Sequence, residues 1–415
     1  MRILYLAHRI PYPPNKGDKI RSFNQVKYLV GRHELDLICL ADDPADFQHV
    51  RALQAICRKV AVLPLPIRHA KIKGLLGLLM GRSISQGYFY RPAMQRIVDA
   101  WIRETAYDAV LCFSSPMAEY LLHSRLFPHG PTSRPAKAPC LVMDFCDVDS
   151  DKWTQYSRNT PFPLNRLYSM EGRRLLAFDA RVNRIMDRSV FISTREAELF
   201  QSLVPAASEI HVVPNGVDHQ YFHPWPVQPG RSPNTGPGLI FTGAMDYQAN
   251  VDGVLWFVRT VLPRIRDRHP GVRLTIVGSN PKPEIRALDG EQITVTGFVP
   301  DIRPCYQDMN VSVVPLRMAR GVQNKVIEAM AMAIPVVATS AAVQGIQPLM
   351  DDPLLVADTP QDFADSVCQI LADPDLSRRL STKGRQCVVE RFDWNRNMAL
   401  LEELLSRRRV LKAGW

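Results

Sequence analysis

Residues 311–339 read VSVVPLRMARGVQNKVIEAMAMAIPVVAT. The run VSVVP (311–315) is apolar throughout and β-branched, and so is PVVAT (335–339), while AMAMA (329–333) between them has helix-forming composition. Strands without polar alternation are covered on both faces, so the stretch reads as strand, helix, strand of a parallel sheet. Its junction, RGVQNKVIE (320–328), packs a glycine, a lysine and a glutamate between strand and helix.

The same pattern extends in both directions. Towards the C-terminus lies LLVA (354–357); towards the N-terminus lie GLIFTG (238–243), VRLTIVG (272–278) and ITVTG (292–296 with Gly297). Further upstream the chain repeats the theme with RILYLA (2–7), LDLICLA (35–41), KVAVLPL (59–65), DAVLCF (108–113), PCLVMDF (139–145), SVFIS (189–193) and IHVVP (210–214). Amphipathic segments separate these runs, which predicts two doubly wound α/β domains. PWPVQPGRSPNTGP (224–237), rich in Pro, Gly and Ser, marks the linker. We therefore expect a first domain at 1–222, a linker at 223–237, a second domain at 238–396 and a terminal helix at 397–415 that packs back on the first domain. PHGPTSRPAKAP (128–139) is expected to be a surface loop, because a buried-strand signal follows it at once.

At 415 residues the chain suits two cores rather than one. Its net charge of +10 calls for a polyanionic partner, whether nucleic acid, anionic membrane or phosphorylated substrate. The eight cysteines include no CxxC pair, and no histidine stands at ligand spacing, which argues against zinc and against a disulfide framework and fits a reduced cytosolic compartment. The N-terminal MRILYLAHRIPYPP reads as a first strand rather than a signal peptide. The longest apolar run, 329–343, is broken by Pro335 and is too short to span a bilayer.

Ligands of open parallel sheets sit beyond the carboxyl ends of the strands. After the first strand comes HRIPYPPNKGDKIRSF, with Gly17 before a helical run and Lys16, Lys19 and Arg21 around it. A glycine there can admit a phosphate to backbone N–H groups, or it can merely shape a loop. GAMDYQANVDG (243–253) is a second glycine-led turn, but the chain has no GxGxxG fingerprint and no Walker lysine.

VVPNGVD (212–218), FTGAMDYQANVDGVLWF (241–257), VTGFVPDIRPCYQDMNVSVVPL (295–316) and GVQNKVIEAMAMAIPVVATSAAVQGI (321–346) together resemble the nucleotide-sugar half of retaining GT-B glycosyltransferases of the family-4 type. HRIPYPPNKGDKIR and DFCDVDSDKW (144–153) are similar to a bacterial subgroup associated with exosortase and exopolysaccharide clusters. The resemblance implies the GT-B fold, two Rossmann-like domains facing across a cleft. It implies sugar transfer with retention, from a nucleotide-diphosphate donor to a glycan or lipid-linked acceptor, without metal or other cofactor. Glu328 matches the acid that binds the donor ribose hydroxyls, and a carboxylate suits a diol. Lys325 matches a lysine one helical turn earlier, on the same face. Gly321 opens the helix towards the diphosphate, Gly297 to Asp301 with Val299 matches the segment around the base, and Gly243 matches the turn beneath the phosphates. A solvated ion pair between Lys325 and Glu328 is the alternative.

The chain departs from the family twice. The turn at 243–253 lacks the family's cations, and Arg320 stands where the family has an acid. We expect Arg320, with Lys325 and Arg317, to supply the positive charge for the diphosphate; an anionic donor sugar is the other reading of Arg320. In the first domain Asp144, Asp147 and Asp149 crowd a strand end, where burial and like charge raise a pKa. Asp147 or Asp149 is expected to orient the acceptor hydroxyl, although the donor's own phosphate can take the proton in retaining enzymes. An EF-hand is excluded by the missing Gly and Glu.

From Phe47 to Ile97 there is no acid but nine cations, and 67–92 interleaves them with Leu, Met and aromatics. That composition suits an anionic membrane surface, engaged through 67–96 on the cytoplasmic face, or else a core helix pair with a solvated face. A GT-B nucleotide-sugar epimerase is a second reading of the whole chain. A nucleic-acid-binding protein is a third, weakened by the absence of any binding module.

Overall fold

The computed structural model describes residues 1–14, 16–127, 138–158, 160–224, 236–319, 321–346, 349 and 351–407. Two all-parallel sheets carry the fold, and every strand expected from an apolar run is present. The first contains β1 (Arg2–Ala7), β2 (Glu34–Ala41), β3 (Lys59–Pro64), β4 (Ala109–Phe113), β5 (Cys140–Cys146), β6 (Arg188–Phe191) and β7 (Ile210–Val212), in the order β3-β2-β1-β4-β5-β6-β7. The second contains β8 (Gly238–Thr242), β9 (Arg273–Val277), β10 (Ile293–Gly297), β11 (Val311–Val314), β12 (Val336–Ala338) and β13 (Leu355–Val356), in the order β10-β9-β8-β11-β12-β13. In each sheet the chain runs outward on one side and then returns to the other side of the first strand. The switch points therefore lie between β1 and β4 and between β8 and β11, where doubly wound sheets open a crevice for ligands.

The cores follow from the apolar runs. Tyr5, Phe113 and Phe191 are fully buried in the first unit, and Phe241, Phe257 and Phe363 in the second. The helix expected at 329–333 begins earlier, at Asn324, and ends at Ala331. Lys325 and Glu328 thus belong to its first two turns, and Gly321 precedes the helix rather than opening it.

The chain divides into two compact units, Met1–Pro214 with Met398–Trp415, and Asn215–Asn397. The second unit takes in residues 215–222, which the sequence assigned to the first. Local bonds explain this: Val217 N–H donates to the Phe392 carbonyl at 2.7 Å, and His219 Nε2 lies 2.9 Å from Asp393 Oδ2. A Cβ on Gly216 would meet the Phe392 carbonyl and Trp394 at 2.8 Å, so no larger residue fits that approach. The terminal helix, Trp394–Ser406, leaves the second unit and joins the first. There Tyr28 Oη donates to Glu402 at 2.8 Å, and Arg188 donates to the Leu404 carbonyl at 3.0 Å. The linker interior 225–235, most of the loop at 128–139 and the basic end from 408 onward lie outside the described residues.

Candidate active site

In the second unit the β8/β11 switch point is built on close backbone approach. Gly243 follows β8 at φ +154, and a Cβ there would stand 2.7 Å from Asn250 Nδ2 and 2.8 Å from Lys325 Nζ. Gly278 follows β9 at φ +158, and a Cβ there would lie 1.7 Å from the Gly243 carbonyl oxygen. Both glycines stand at positive φ that a larger residue would adopt only under strain, and Lys325 Nζ, from the helix Asn324–Ala331, comes up against the first of them. Lys325 Nζ donates to Asn250 Oδ1 at 2.5 Å and sits 4.5 Å from the Phe241 ring centroid. Asn250 is itself oriented by donating to the Ala244 carbonyl at 2.8 Å.

Lys325 and Glu328 are both half-buried, and among the described residues they form no ion pair with each other. The solvated-pair alternative is thereby displaced. Burial lowers the Lys325 ammonium to about 7, opposed by Glu328, and raises the Glu328 carboxyl to about 7, opposed by Lys325. Two groups poised near neutrality at a strand-end crevice are typical of a functional site rather than of a solvated helix face. Burial and the Glu328 charge also push the Tyr306 phenol up.

Two cations from elsewhere in the chain stand beside the turn at 243–253. Besides Lys325, Lys282 follows β9 and donates from Nζ to Gln248 at 2.8 Å, and its N–H donates to the Met245 carbonyl at 3.4 Å. Sequence reasoning missed Lys282, Asn250 and Phe241, since none carries a motif of its own. Arg317 corrects the expectation placed on it: its guanidinium forks onto the Asp252 carboxylate, with Nε 2.9 Å from Oδ2, so its charge is already matched. Arg320 lies outside the described residues.

Gly297 ends β10 at φ +70, and its carbonyl accepts from Gly278 N–H at 3.2 Å. Val299 packs on the core while Phe298 is 74% exposed. Asp301 is held by Arg303 and by Tyr221 Oη at 2.9 Å, and these bonds keep its carboxyl at about 2. Gly321 stands at φ +60, and a Cβ on Gly345 would lie 1.9 Å from its carbonyl oxygen. A second glycine contact therefore shapes the approach to the helix Asn324–Ala331.

The first unit corrects several expectations. Arg21 and Asp144, expected at the acceptor loop and among the catalytic acids, are buried against each other. Arg21 Nε lies 2.8 Å from Asp144 Oδ2, and the same carboxylate accepts from Gln25 at 2.5 Å and from Cys146 N–H at 3.0 Å. The pair ties the helix Gly17–Val30 to β5, because an unpartnered charge in that interior would be costly. Lys19 is likewise buried against Asp46 at 2.8 Å. Lys16 and Gly17 are exposed, and a Cβ on Gly17 would meet nothing within 4 Å, so close approach does not demand the glycine.

The other two acids remain. Asp149 opens the helix Asp149–Arg158 in a half-buried position, 3.8 Å from Lys152. Asp147 is different: its Oδ1 is buried with no partner among the described residues, and burial, with repulsion from Glu196 and Asp149, raises its carboxyl to about 7. His8, not singled out in the sequence, follows β1 at the β1/β4 switch point. Its ring stacks on Phe113 with centroids 5.6 Å apart, and Nε2 lies 3.4 Å from Asp18 Oδ2. Nδ1 is left buried without a partner among the described residues. Burial opposes the ionisation of Asp18, but His8 and Arg9 outweigh it and hold the carboxyl well below the usual range, so Asp18 acts as an acceptor. Among the described residues no group of three His, Cys, Asp or Glu side chains could hold a metal ion.

Residues 236–373 match the family described as glycosyl transferases group 1. Over 403 residues the chain is 21% identical to a 44.6 kDa protein in the cps region of Klebsiella pneumoniae, covering 94% of this chain and 96% of that one. Over 246 residues it is 25% identical to a Mycobacterium tuberculosis GDP-mannose-dependent alpha-(1-6)-phosphatidylinositol monomannoside mannosyltransferase, covering 54% of this chain and 63% of that one. Anabaena HepE, solved in complex with UDP, superposes with a TM-score of 0.66 at 15% identity, covering 98% of this chain and 100% of HepE. The fold is that of GT-B glycosyltransferases.

Proposed function

We propose that this chain, a GT-B protein with a group 1 glycosyltransferase segment, moves a sugar from a nucleotide-diphosphate donor to a glycan or lipid-linked acceptor with retention, without metal or cofactor. Polysaccharide assembly at the cytoplasmic face of the membrane is the setting that fits, in keeping with the cps-region relative. The observation that carries the reading is Lys325: a desolvated ammonium, held by Asn250 over a glycine turn, at the switch point of the second unit. Such an ammonium, hydrogen-bonded to a neutral amide rather than to a carboxylate, suits a diphosphate. Glu328, one turn on, is placed for the ribose diol, and Gly297 to Asp301 for the base. HepE was solved with UDP and the mannosyltransferase uses GDP-mannose, so a nucleoside diphosphate is the first ligand to test. In the first unit Asp147 and His8 offer buried proton acceptors for a hydroxyl of the acceptor.

A thermal-shift panel of UDP, GDP and ADP with their sugar conjugates tests this, because a ligand that binds only the folded chain raises its melting temperature. At least one nucleotide should stabilise the wild type. Lys325→Met and Glu328→Gln should each weaken that nucleotide about 10- to 100-fold, the span expected for losing a hydrogen bond to a charged group. A panel in which no nucleotide acts, or in which both variants bind like the wild type, overturns the assignment.

A further inference from the structure

The helix Ile67–Leu79 is inverted relative to an ordinary surface helix. Its buried positions are the small residues Ala70, Gly74 and Gly77, while Ile72, Leu75 and Leu76 are half or more exposed, Leu79 is 85% exposed and the following Met80 79%. The small residues face the short helix Ile84–Phe89 at close range. A Cβ on Gly74 would stand 2.8 Å from Ile84 Cγ2, and one on Gly87 would stand 2.6 Å from the Lys73 carbonyl. Glu171, from the long helix Leu164–Ile185, anchors the pair by accepting from Ser85 N–H at 3.0 Å and Ser85 Oγ at 2.7 Å. The sequence allowed a core helix pair with a solvated face, and the pair exists, but its outer face carries Ile72, Leu75 and Leu76 beside the exposed Arg68, Lys71 and Lys73. A run of large apolar side chains held out by a glycine-packed partner marks an interaction surface rather than a core.

At the C-terminal end of this helix opens a cavity of about 300 Å³. Arg82, Arg174 and Arg181 line it, together with Gln86, Glu119 and His123. Glu119 is already engaged by Gln86 Nε2 and lies 3.2 Å from His123 Nδ1, so three guanidiniums face one satisfied carboxylate. Arg174 donates to the carbonyls of Leu78 and Arg82, which covers the negative end of the helix beside the cavity. Among the described residues neither Arg82 nor Arg181 has a carboxylate within ion-pair reach. The cavity wall is continuous in sequence with the exposed apolar tip, since Gly81 and Arg82 directly follow Leu79 and Met80.

We propose that the cavity binds the phosphate of an anionic lipid while Leu75, Leu76, Leu79 and Met80 enter the apolar part of the same bilayer. The occupant follows from joining the two features. A soluble phosphate would explain the arginines but not the apolar tip, and an apolar partner would explain the tip but not the arginines. The assignment goes beyond sugar transfer and does not depend on it.

The test is sedimentation of the full chain with vesicles of phosphatidylcholine alone and of phosphatidylcholine with phosphatidylglycerol. Wild type should favour the phosphatidylglycerol vesicles. The double variant Arg82→Gln/Arg181→Gln should lose about 30-fold in partitioning, as expected for two arginines each worth about 1 kcal/mol near an anionic surface. Arg103→Gln, an exposed cation outside the cavity, should lose about 5-fold at most. Leu79→Ser/Met80→Ser should also release the protein, and Arg181→Lys should retain most of the binding. Nucleotide stabilisation, read on the same variants, reports folding and the transferase site separately. The proposal is overturned if the double variant partitions like wild type, if Arg103→Gln lowers partitioning as much as the double variant, or if inorganic phosphate stabilises the protein while vesicles do not bind it.

Discussion

At the residue scale, Lys325 and Glu328 are coupled to protons as well as to a ligand. In the free protein burial holds both near 7, so Lys325 is mostly neutral at pH 8, and Glu328 is substantially protonated at pH 6. A bound diphosphate favours the ammonium and a bound diol favours the carboxylate. Nucleotide binding should therefore take up protons above pH 7, through Lys325, and release them below, through Glu328. Calorimetry in buffers of different ionisation heat measures the sign directly. Lys325→Met should abolish the uptake at pH 8 and Glu328→Gln the release at pH 6; a proton count of one sign across the range would contradict the arrangement. The spacing of these two residues was legible in the sequence, but their desolvation was not. At Lys325 the covering neighbours include Phe241 and Asn250, the latter 75 residues away along the chain.

At the element scale, the turns after β8 and β9 act as one piece. Gly278 has the Gly243 carbonyl where a Cβ would go, so Gly278→Ala must push the two turns apart. We expect a loss of about 1–3 kcal/mol in urea denaturation, the usual cost of overpacking. Because Gly243 also abuts Lys325 Nζ, the nucleotide-induced thermal shift should fall in the same variant. Gly17→Ala, where a Cβ meets nothing, should leave denaturation within about 0.5 kcal/mol of wild type. The sequence suggested the same role, a glycine-led turn into a helix, for Gly17 and for Gly243, and none for Gly278. Only the contacts separate a glycine demanded by backbone approach from one that sits in open space.

At the scale of the whole molecule, buried titratable groups shape stability against pH. Burial raises Asp179 to about 8, and Asp147 and Glu328 to about 7. Each binds more protons folded than unfolded between about pH 4 and its folded value, so the stability these groups provide in acid is lost as pH rises through that window. Lys325, lowered to about 7, has the opposite sign and regains stability between about pH 7 and 10. Asp179→Asn removes one of these terms. The variant's unfolding free energy relative to wild type should therefore improve from pH 5 to pH 8, and parallel pH curves would show that the carboxyl is not raised. The architecture itself was readable in advance. Buried parallel strands must be apolar along their whole length, so thirteen of them stand out as runs, and amphipathic helical segments separate them. The sequence by itself thus determined two doubly wound sheets and the Lys325–Glu328 spacing, because both depend on residues close together in the chain. Only the tertiary structure decided that Arg21 and Asp144 neutralise each other, that Lys282 and Asn250 reach the glycine turn, and that the helix Ile67–Leu79 turns its large side chains outward. The physical reason is that a charge or an apolar side chain takes its role from what surrounds it, and those surroundings are assembled from segments far apart in sequence.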